Sequence, residues 1–146
     1  MRVVVQRVSR ASVTVDGKIT GKIEKGLLLL VAMKGDETDD DLDWMVNRCV
    51  GLRIFPDSDG KMNLSLEDAG GAILAVSQFT LYGDCRKGRR PSFIGAGDPE
   101  VSEKLFERFV EKIRGAGVKA ETGIFGADMK VELLNDGPVT LIIDKP

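Results

Sequence analysis

Residues 2–8, 11–15, 18–23 and 26–33 alternate or run apolar, the pattern of strands, and Asp16-Gly17 lies between two of them as a two-residue hairpin signal. Leu27 to Val31 is unbroken, which predicts a strand buried on both faces. The period then changes. Thr38 is placed to cap a helix, Asp39, Asp40 and Asp41 follow at the positive end of its dipole, and Leu42, Met45, Val46, Cys49 and Leu52 recur at helical spacing. That spacing puts Cys49 in the core, where cysteine behaves as a small hydrophobe. Ala72 to Leu81 predicts a further apolar strand. Asp98-Pro99 opens a second helix, Val101, Leu105, Phe109 and Ile113 give it an apolar stripe, and Gly115 and Gly117 end it. Strands are also predicted at 118–122, 129–134 and 139–143. With no repeat, low-complexity tract or linker, this order predicts a single α+β domain over residues 1–146: a compact, curved or barrel-like, mostly antiparallel sheet with two main helices.

A chain of 146 residues is long enough to bury about 70% of its unfolded surface. Its 21 basic and 23 acidic residues nearly cancel, so any contact with RNA has to be local. Two cysteines, Cys49 and Cys85, do not make a disulfide framework and read as reduced thiols. Met1-Arg2-Val3-Val4-Val5 starts on a strand pattern without signal-peptide architecture, and the apolar run from Leu27 to Met33 is far too short to cross a bilayer. A soluble, cytoplasmic protein is expected, without a membrane partner. There is no histidine. Ser-His and Cys-His nucleophile pairs and the usual zinc ligand sets are thereby removed, while a carboxylate-only metal site stays open.

Four segments carry candidate chemistry. Asp57-Ser58-Asp59-Gly60 resembles the start of a calcium loop but lacks the later ligands, so it predicts a tight turn. Arg86, Lys87, Arg89 and Arg90 crowd four cations into a loop from Tyr82 to Gly97, a solvated surface or a clamp for a phosphate backbone. Cys85 lies beside them, with no base to activate it. Ser77-Gln78-Phe79-Thr80 ends a predicted strand and offers hydroxyls; alternation puts Ser77 and Phe79 on one face and Gln78 and Thr80 on the other. Gly137-Pro138 suits either a side-chain-free wall open to close approach or a plain turn between strands 129–134 and 139–143, with the peptide isomer left open.

Ser77-Gln78-Phe79-Thr80-Leu81 and Asn135-Asp136-Gly137-Pro138-Val139-Thr140, in that order, resemble the paired signature motifs of D-aminoacyl-tRNA deacylases, which cut D-amino acids off tRNA. The resemblance runs the whole length. It includes the opening Met1 to Val8, Lys61-Met62-Asn63-Leu64-Ser65, Arg90-Pro91-Ser92-Phe93 and Gly123 to Met129. It implies that family's fold and a homodimer with two active sites at the subunit interface. A cis Gly137-Pro138 of one subunit would reach into the partner's pocket and exclude L-aminoacyl groups while admitting D-aminoacyl groups and glycine. It also implies a catalytic segment of Ser77, Gln78, Phe79 and Thr80, with Thr80 positioning rather than acylated. Backbone N–H groups around Phe79 and Thr80 would stabilise the oxyanion. Phe125, Gly126, Met129, Val139 and Thr140 would join Gly137 and Pro138 around the substrate, the 3′ end of D-aminoacyl-tRNA, with Arg86, Lys87, Arg89 and Arg90 on the tRNA. No metal or other cofactor is implied, because the ester is activated and the neighbouring 2′-hydroxyl can assist water. A non-catalytic RNA- or synthetase-binding module and a small-molecule esterase are the competing expectations.

Overall fold

The computed structural model describes residues 1–145. Its elements in order are β1 (Arg2–Val15), β2 (Lys18–Ile23), β3 (Gly26–Ala32), α1 (Asp39–Gly51), β4 (Phe55–Pro56), β5 (Met62–Leu64), β6 (Ala72–Ser77), α2 (Pro99–Gly115), β7 (Ala120–Thr122) and β8 (Lys130–Asp144). A short 3-10 turn, Phe79–Tyr82, follows β6.

β1 is the spine of the sheet. One edge carries β8, antiparallel, from Arg2 opposite Asp144 to Thr14 opposite Lys130. The other edge is divided between β3, paired with Arg2 to Val8, and β2, paired with Ala11 to Val15, both antiparallel. β6 and β7 extend the sheet beyond β3 by parallel pairing. At Gly21 of β2 an added Cβ would lie 2.3 Å from the Thr122 carbonyl oxygen of β7. The two ends of the path β2-β1-β3-β6-β7 therefore meet, and the sheet curls into a nearly closed barrel.

The apolar run of β3 serves two cores, because successive side chains of a strand point to opposite faces. Leu27, Leu29 and Val31 pack outward with Leu42, Met45 and Cys49 of α1 and Phe109 and Ile113 of α2. Leu28 points inward with Val8, Val13, Ile23 and Leu74. Cys49 is fully enclosed, and burial pushes its thiol up to about 12. Both helices start where their caps allow. The Thr38 hydroxyl accepts from the Asp41 amide while the Asp41 carboxylate accepts from the Thr38 amide, and Asp98 accepts from Glu100 and Val101. Asp43 and Lys112 then join the helices at 2.7 Å.

The α+β architecture agrees with the pattern of the sequence, and several details depart from it. Residues 2–8 and 11–15 form one strand, because the ladder shifts register near Ser9 and Arg10 without breaking. The predicted strands 129–134 and 139–143 are likewise the two ends of β8. Strand 72–81 stops at Ser77, where the chain enters the 3-10 turn. On α2, Val101 is exposed at 43%, and the buried stripe begins instead at Ser102 and continues through Leu105, Phe106, Phe109 and Ile113. Asp57 to Gly60 is a turn: the Asp57 carboxylate accepts from the Asp59 and Lys61 amides and so closes the β4–β5 ribbon.

Candidate active site

Ser77 is the last residue of β6 and lies opposite Val31 of β3, whose carbonyl accepts from the Gln78 amide at 2.8 Å. Strand alternation ends there. The 3-10 turn brings the Gln78 side-chain amide to the Thr80 hydroxyl, to which it donates. No side chain caps the turn, and among the described residues the Phe79 and Thr80 amides donate to nothing. The first amides of a helical turn have no partner within it. Two backbone N–H groups at the end of a buried strand are thus without a partner.

Beside this turn lies a cavity of about 230 Å³. Ser77, Gln78 and Phe79 form one side, and Val31, Met33 and Val76 of the sheet lie behind them. Ser102 and Phe106 come from α2, and Phe125, Gly126, Ala127 and Met129, from the segment leading into β8, complete the wall with Val131 of β8. The rings of Phe106 and Phe125 meet tilted, with centroids 6.2 Å apart. No lining residue is ionisable. The wall therefore offers an uncharged and mainly apolar surface, beside which backbone dipoles act more strongly than in water.

Gly137 and Pro138 lie elsewhere. On β8, Asn135 faces Val8 and Thr140 faces Gln6, so five steps of β8 oppose two of β1 and the residues between them stand out as a tongue. Its Gly137-Pro138 peptide is cis, and both residues are exposed. The tongue is pinned at its base. Arg7, only 8% exposed, donates from Nε to the Asp136 carbonyl at 2.9 Å and from Nη1 to the Ile54 carbonyl at 2.6 Å. Asn135 Oδ1 accepts from the Val139 amide at 3.1 Å, and its Nδ2 donates to the Thr140 hydroxyl at 2.8 Å. Gly137 takes φ +137°, a backbone conformation that side chains oppose.

Among the expected site residues, one chain gathers Ser77, Gln78, Phe79, Phe125, Gly126 and Met129 around the cavity. Thr80 is beside them on the turn, exposed. Gly137, Pro138, Val139 and Thr140 belong to the tongue and do not line that cavity. Arg86, Lys87, Arg89 and Arg90 are exposed at the tip of a loop closed by reciprocal Asp84 and Ser92 hydrogen bonds of 2.8 and 3.0 Å. Phe93 anchors this loop edge-on against Phe79, with centroids 5.2 Å apart. Arg86 is paired with Asp84, whereas Lys87, Arg89 and Arg90 make no ion pair among the described residues. Sequence reasoning missed Arg7, Asn135, Ser102 and Phe106 as site residues. Asn135 was on view within the second motif, and the α2 residues have no signal beyond an ordinary helical stripe. Among the described residues, no group of three or more His, Cys, Asp or Glu side chains is gathered to hold a metal ion. No helix there is long and apolar enough to cross a membrane.

This architecture has known relatives. A solved structure described as c-Myc DNA unwinding element binding protein superposes with a TM-score of 0.93 at 39% identity, covering 100% of this chain and 99% of that one. Another, described as a probable eukaryotic D-amino acid tRNA deacylase, shares the fold with a TM-score of 0.86 at 23% identity, covering 99% and 98%. Among curated sequences, D-aminoacyl-tRNA deacylases of Thermosipho melanesiensis and Fervidobacterium nodosum are 60% and 58% identical to this chain, each covering 99% of it and 97% of the relative. The sequence profile described as D-Tyr-tRNA(Tyr) deacylase matches residues 4–144, both signature segments included, and the chain belongs to that family.

Proposed function

We propose that the protein hydrolyses the ester of D-aminoacyl-tRNA, releasing D-amino acid and free tRNA. The reading is carried by one observation: an apolar, uncharged cavity lined by Phe79, whose amide, like that of Thr80 next to it, has no hydrogen-bond partner among the described residues. An aminoacyl ester is already activated, so it needs orientation and stabilisation of the oxyanion more than a strong base. A single well-placed donor contributes about 3–4 kcal/mol to such a transition state. Thr80, holding Gln78, positions these amides, and the vicinal 2′-hydroxyl of the terminal ribose helps to direct water.

The chiral filter is the tongue. Gly137 and Pro138 offer carbonyl oxygens and no long side chain, and they do not reach their own chain's cavity. In a homodimer each tongue enters the partner's cavity, where its carbonyls occupy the space an L side chain requires. Steric and polar exclusion of this kind discriminates more strongly than an apolar pocket. Glycine has nothing to clash, so glycyl-tRNA(Ala) is a second substrate. β8 supports this assembly: it pairs with β1 on one side and exposes Leu134, Leu141 and Ile142, a combination that invites a second copy. Lys87, Arg89 and Arg90, on the loop that Phe93 anchors against Phe79, grip the tRNA backbone. A cytoplasmic location belongs to the same reading, since the proposed substrate is tRNA.

The test is release of amino acid from matched D-tyrosyl-tRNA and L-tyrosyl-tRNA by chelator-treated protein. Release of D alone is expected. Release of both would remove the filter, and tRNA binding without release, not restored by added metal, would favour a binding module.

A further inference from the structure

The turn that carries the unpartnered Phe79 and Thr80 amides has little of its own to hold it. Phe79 is 55% exposed. The turn closes on itself through two hydrogen bonds, from the Leu81 amide to the Gln78 carbonyl at 3.2 Å and from the Gly83 amide to the Thr80 carbonyl at 2.9 Å. Its start is tied to the sheet, where the Gln78 amide meets the Val31 carbonyl. Its far end depends on Arg2. Arg2 Nη1 donates to the Leu81 carbonyl at 3.0 Å, and among the described residues no other side chain hydrogen-bonds the backbone of Phe79 to Tyr82. The other two nitrogens, Nε and Nη2, donate to the two carboxylate oxygens of Asp144 at 2.7 and 3.2 Å. Arg2 lies opposite Ala32 of β3 and Asp144 of β8, so the fork starts from the middle of three paired strands. Its Cζ also stands 5.3 Å from the centre of the Tyr82 ring, with Lys34 Nζ 5.9 Å from the same ring.

We propose that Arg2 is a positioning residue for ester cleavage, fixing the Leu81 carbonyl so that the 3-10 turn keeps the Phe79 and Thr80 amides in place beside the cavity. The inference rests on the deacylase reading above. The last carbonyls of a helical turn have no partner within it, so one fixed donor there decides how the turn closes. Asp144, gripped through both oxygens, sets the plane of the guanidinium and thereby aims the third nitrogen. A lysine ammonium cannot hold both partners in a fixed geometry. The side chains of Arg2 and Asp144 are 36% and 53% exposed, and ion pairs at such a surface contribute little to stability. The fork therefore matters more to the turn than to the fold.

Turnover of D-tyrosyl-tRNA by the full chain tests this with Arg2→Ala and Arg2→Lys. Arg2→Ala is expected to lower kcat by about ten- to a hundredfold with KM within about twofold of wild type, because a displaced turn misplaces the donors while the tRNA contacts remain. Arg2→Lys, which keeps the charge but not the fork, should fall between the two. Thr38→Ala removes the cap of α1 and leaves the turn alone. It should lower the thermal midpoint at least as much as Arg2→Ala and leave kcat unchanged. Thr80→Val disturbs the same turn, so adding Arg2→Ala to it should cost less than about threefold further. Amide exchange at Leu81 and Gly83, expected to be faster in Arg2→Ala, reads the turn without turnover. Wild-type kcat in the Arg2 variants, a loss confined to KM, or full additivity with Thr80→Val overturns the proposal, as does unchanged exchange. Faster exchange in Arg2→Ala, when wild-type protein leaves D-tyrosyl-tRNA intact, would keep the contact and refute the deacylase reading.

Discussion

A cavity without an ionisable side chain sets how the residues around it can act. Ser77, Gln78 and Phe79 offer a hydroxyl, an amide and backbone dipoles, none of which changes charge near neutral pH. The pH profile of kcat on D-tyrosyl-tRNA between about pH 6 and 8.5 is therefore expected to show no enzyme inflection beside that of the substrate ammonium group. A bell with two enzyme pKa values would introduce a general base that the cavity lacks. Thr80→Val removes the acceptor of the Gln78 amide. It is expected to lower kcat by about a hundredfold through lost positioning, with no acyl-threonine trapped in acid-quenched wild-type protein. A trapped acyl group would make Thr80 the nucleophile. The sequence displayed these residues but not their relation. Alternation along an assumed strand already put Gln78 and Thr80 on one face, but it did not show the 3-10 turn that replaces the strand after Ser77 and carries their hydrogen bond. For Phe125 and Met129 the residues alone do not separate a pocket wall from a core, since partly buried apolar side chains read alike in both.

The tongue and its anchor act as one element. At Gly137 an added Cβ would lie 2.8 Å from Val139 Cγ2 and 3.0 Å from Arg7 Nη2, at a φ of +137°. Gly137→Ala is expected to strain the tongue by about 1–3 kcal/mol. D-aminoacyl deacylation should fall at least about tenfold while the protein stays folded, and unchanged activity would remove the pair from the proposed filter. Arg7 bridges the Ile54 and Asp136 carbonyls, a span that suits a forked guanidinium and not a single ammonium. Arg7→Lys is expected to cost about 2–3 kcal/mol in urea denaturation and to lower activity, although Arg7 lines no part of the cavity. Activity that survived such a loss of stability would show that the tongue needs no anchor. β8 was legible only as two halves, because Asn135 to Pro138 reads as a turn. The ladder to β1 that carries the chain past it depends on pairing over more than a hundred residues of sequence separation.

Across the whole molecule, the periodicities of β3, α1 and α2 made the layers legible, since each buries the face its spacing predicts except at Val101 of α2. Closure of the barrel was not legible, because the meeting of β2 and β7 and the parallel pairing of β3 with β6 leave no local mark. A buried ion pair ties the start of the chain to the segment before α1: the Met1 ammonium meets Glu37 at 2.8 Å, with side chains 0% and 2% exposed. Burial opposes ionisation of Glu37, but the Lys34 and Gly35 amides and the ammonium outweigh it and hold its carboxyl below the usual range. A depressed carboxylate stabilises the fold above its unfolded pKa, near 4.3, and that contribution disappears as pH falls through the lower folded value. The thermal midpoint of wild-type protein should thus fall below about pH 4.3 more steeply than that of Glu37→Gln, and parallel curves would exclude the pair as the cause. The distance between tongue and cavity within one chain has a genetic counterpart. If each site is completed by two chains, defects in the 3-10 turn and defects in the tongue belong to different complementation groups. A randomly assorted mixture of two inactive proteins, one altered at Gly137 and one at Thr80, would regain about a quarter of wild-type activity, since half the dimers are mixed and each of those has one intact site.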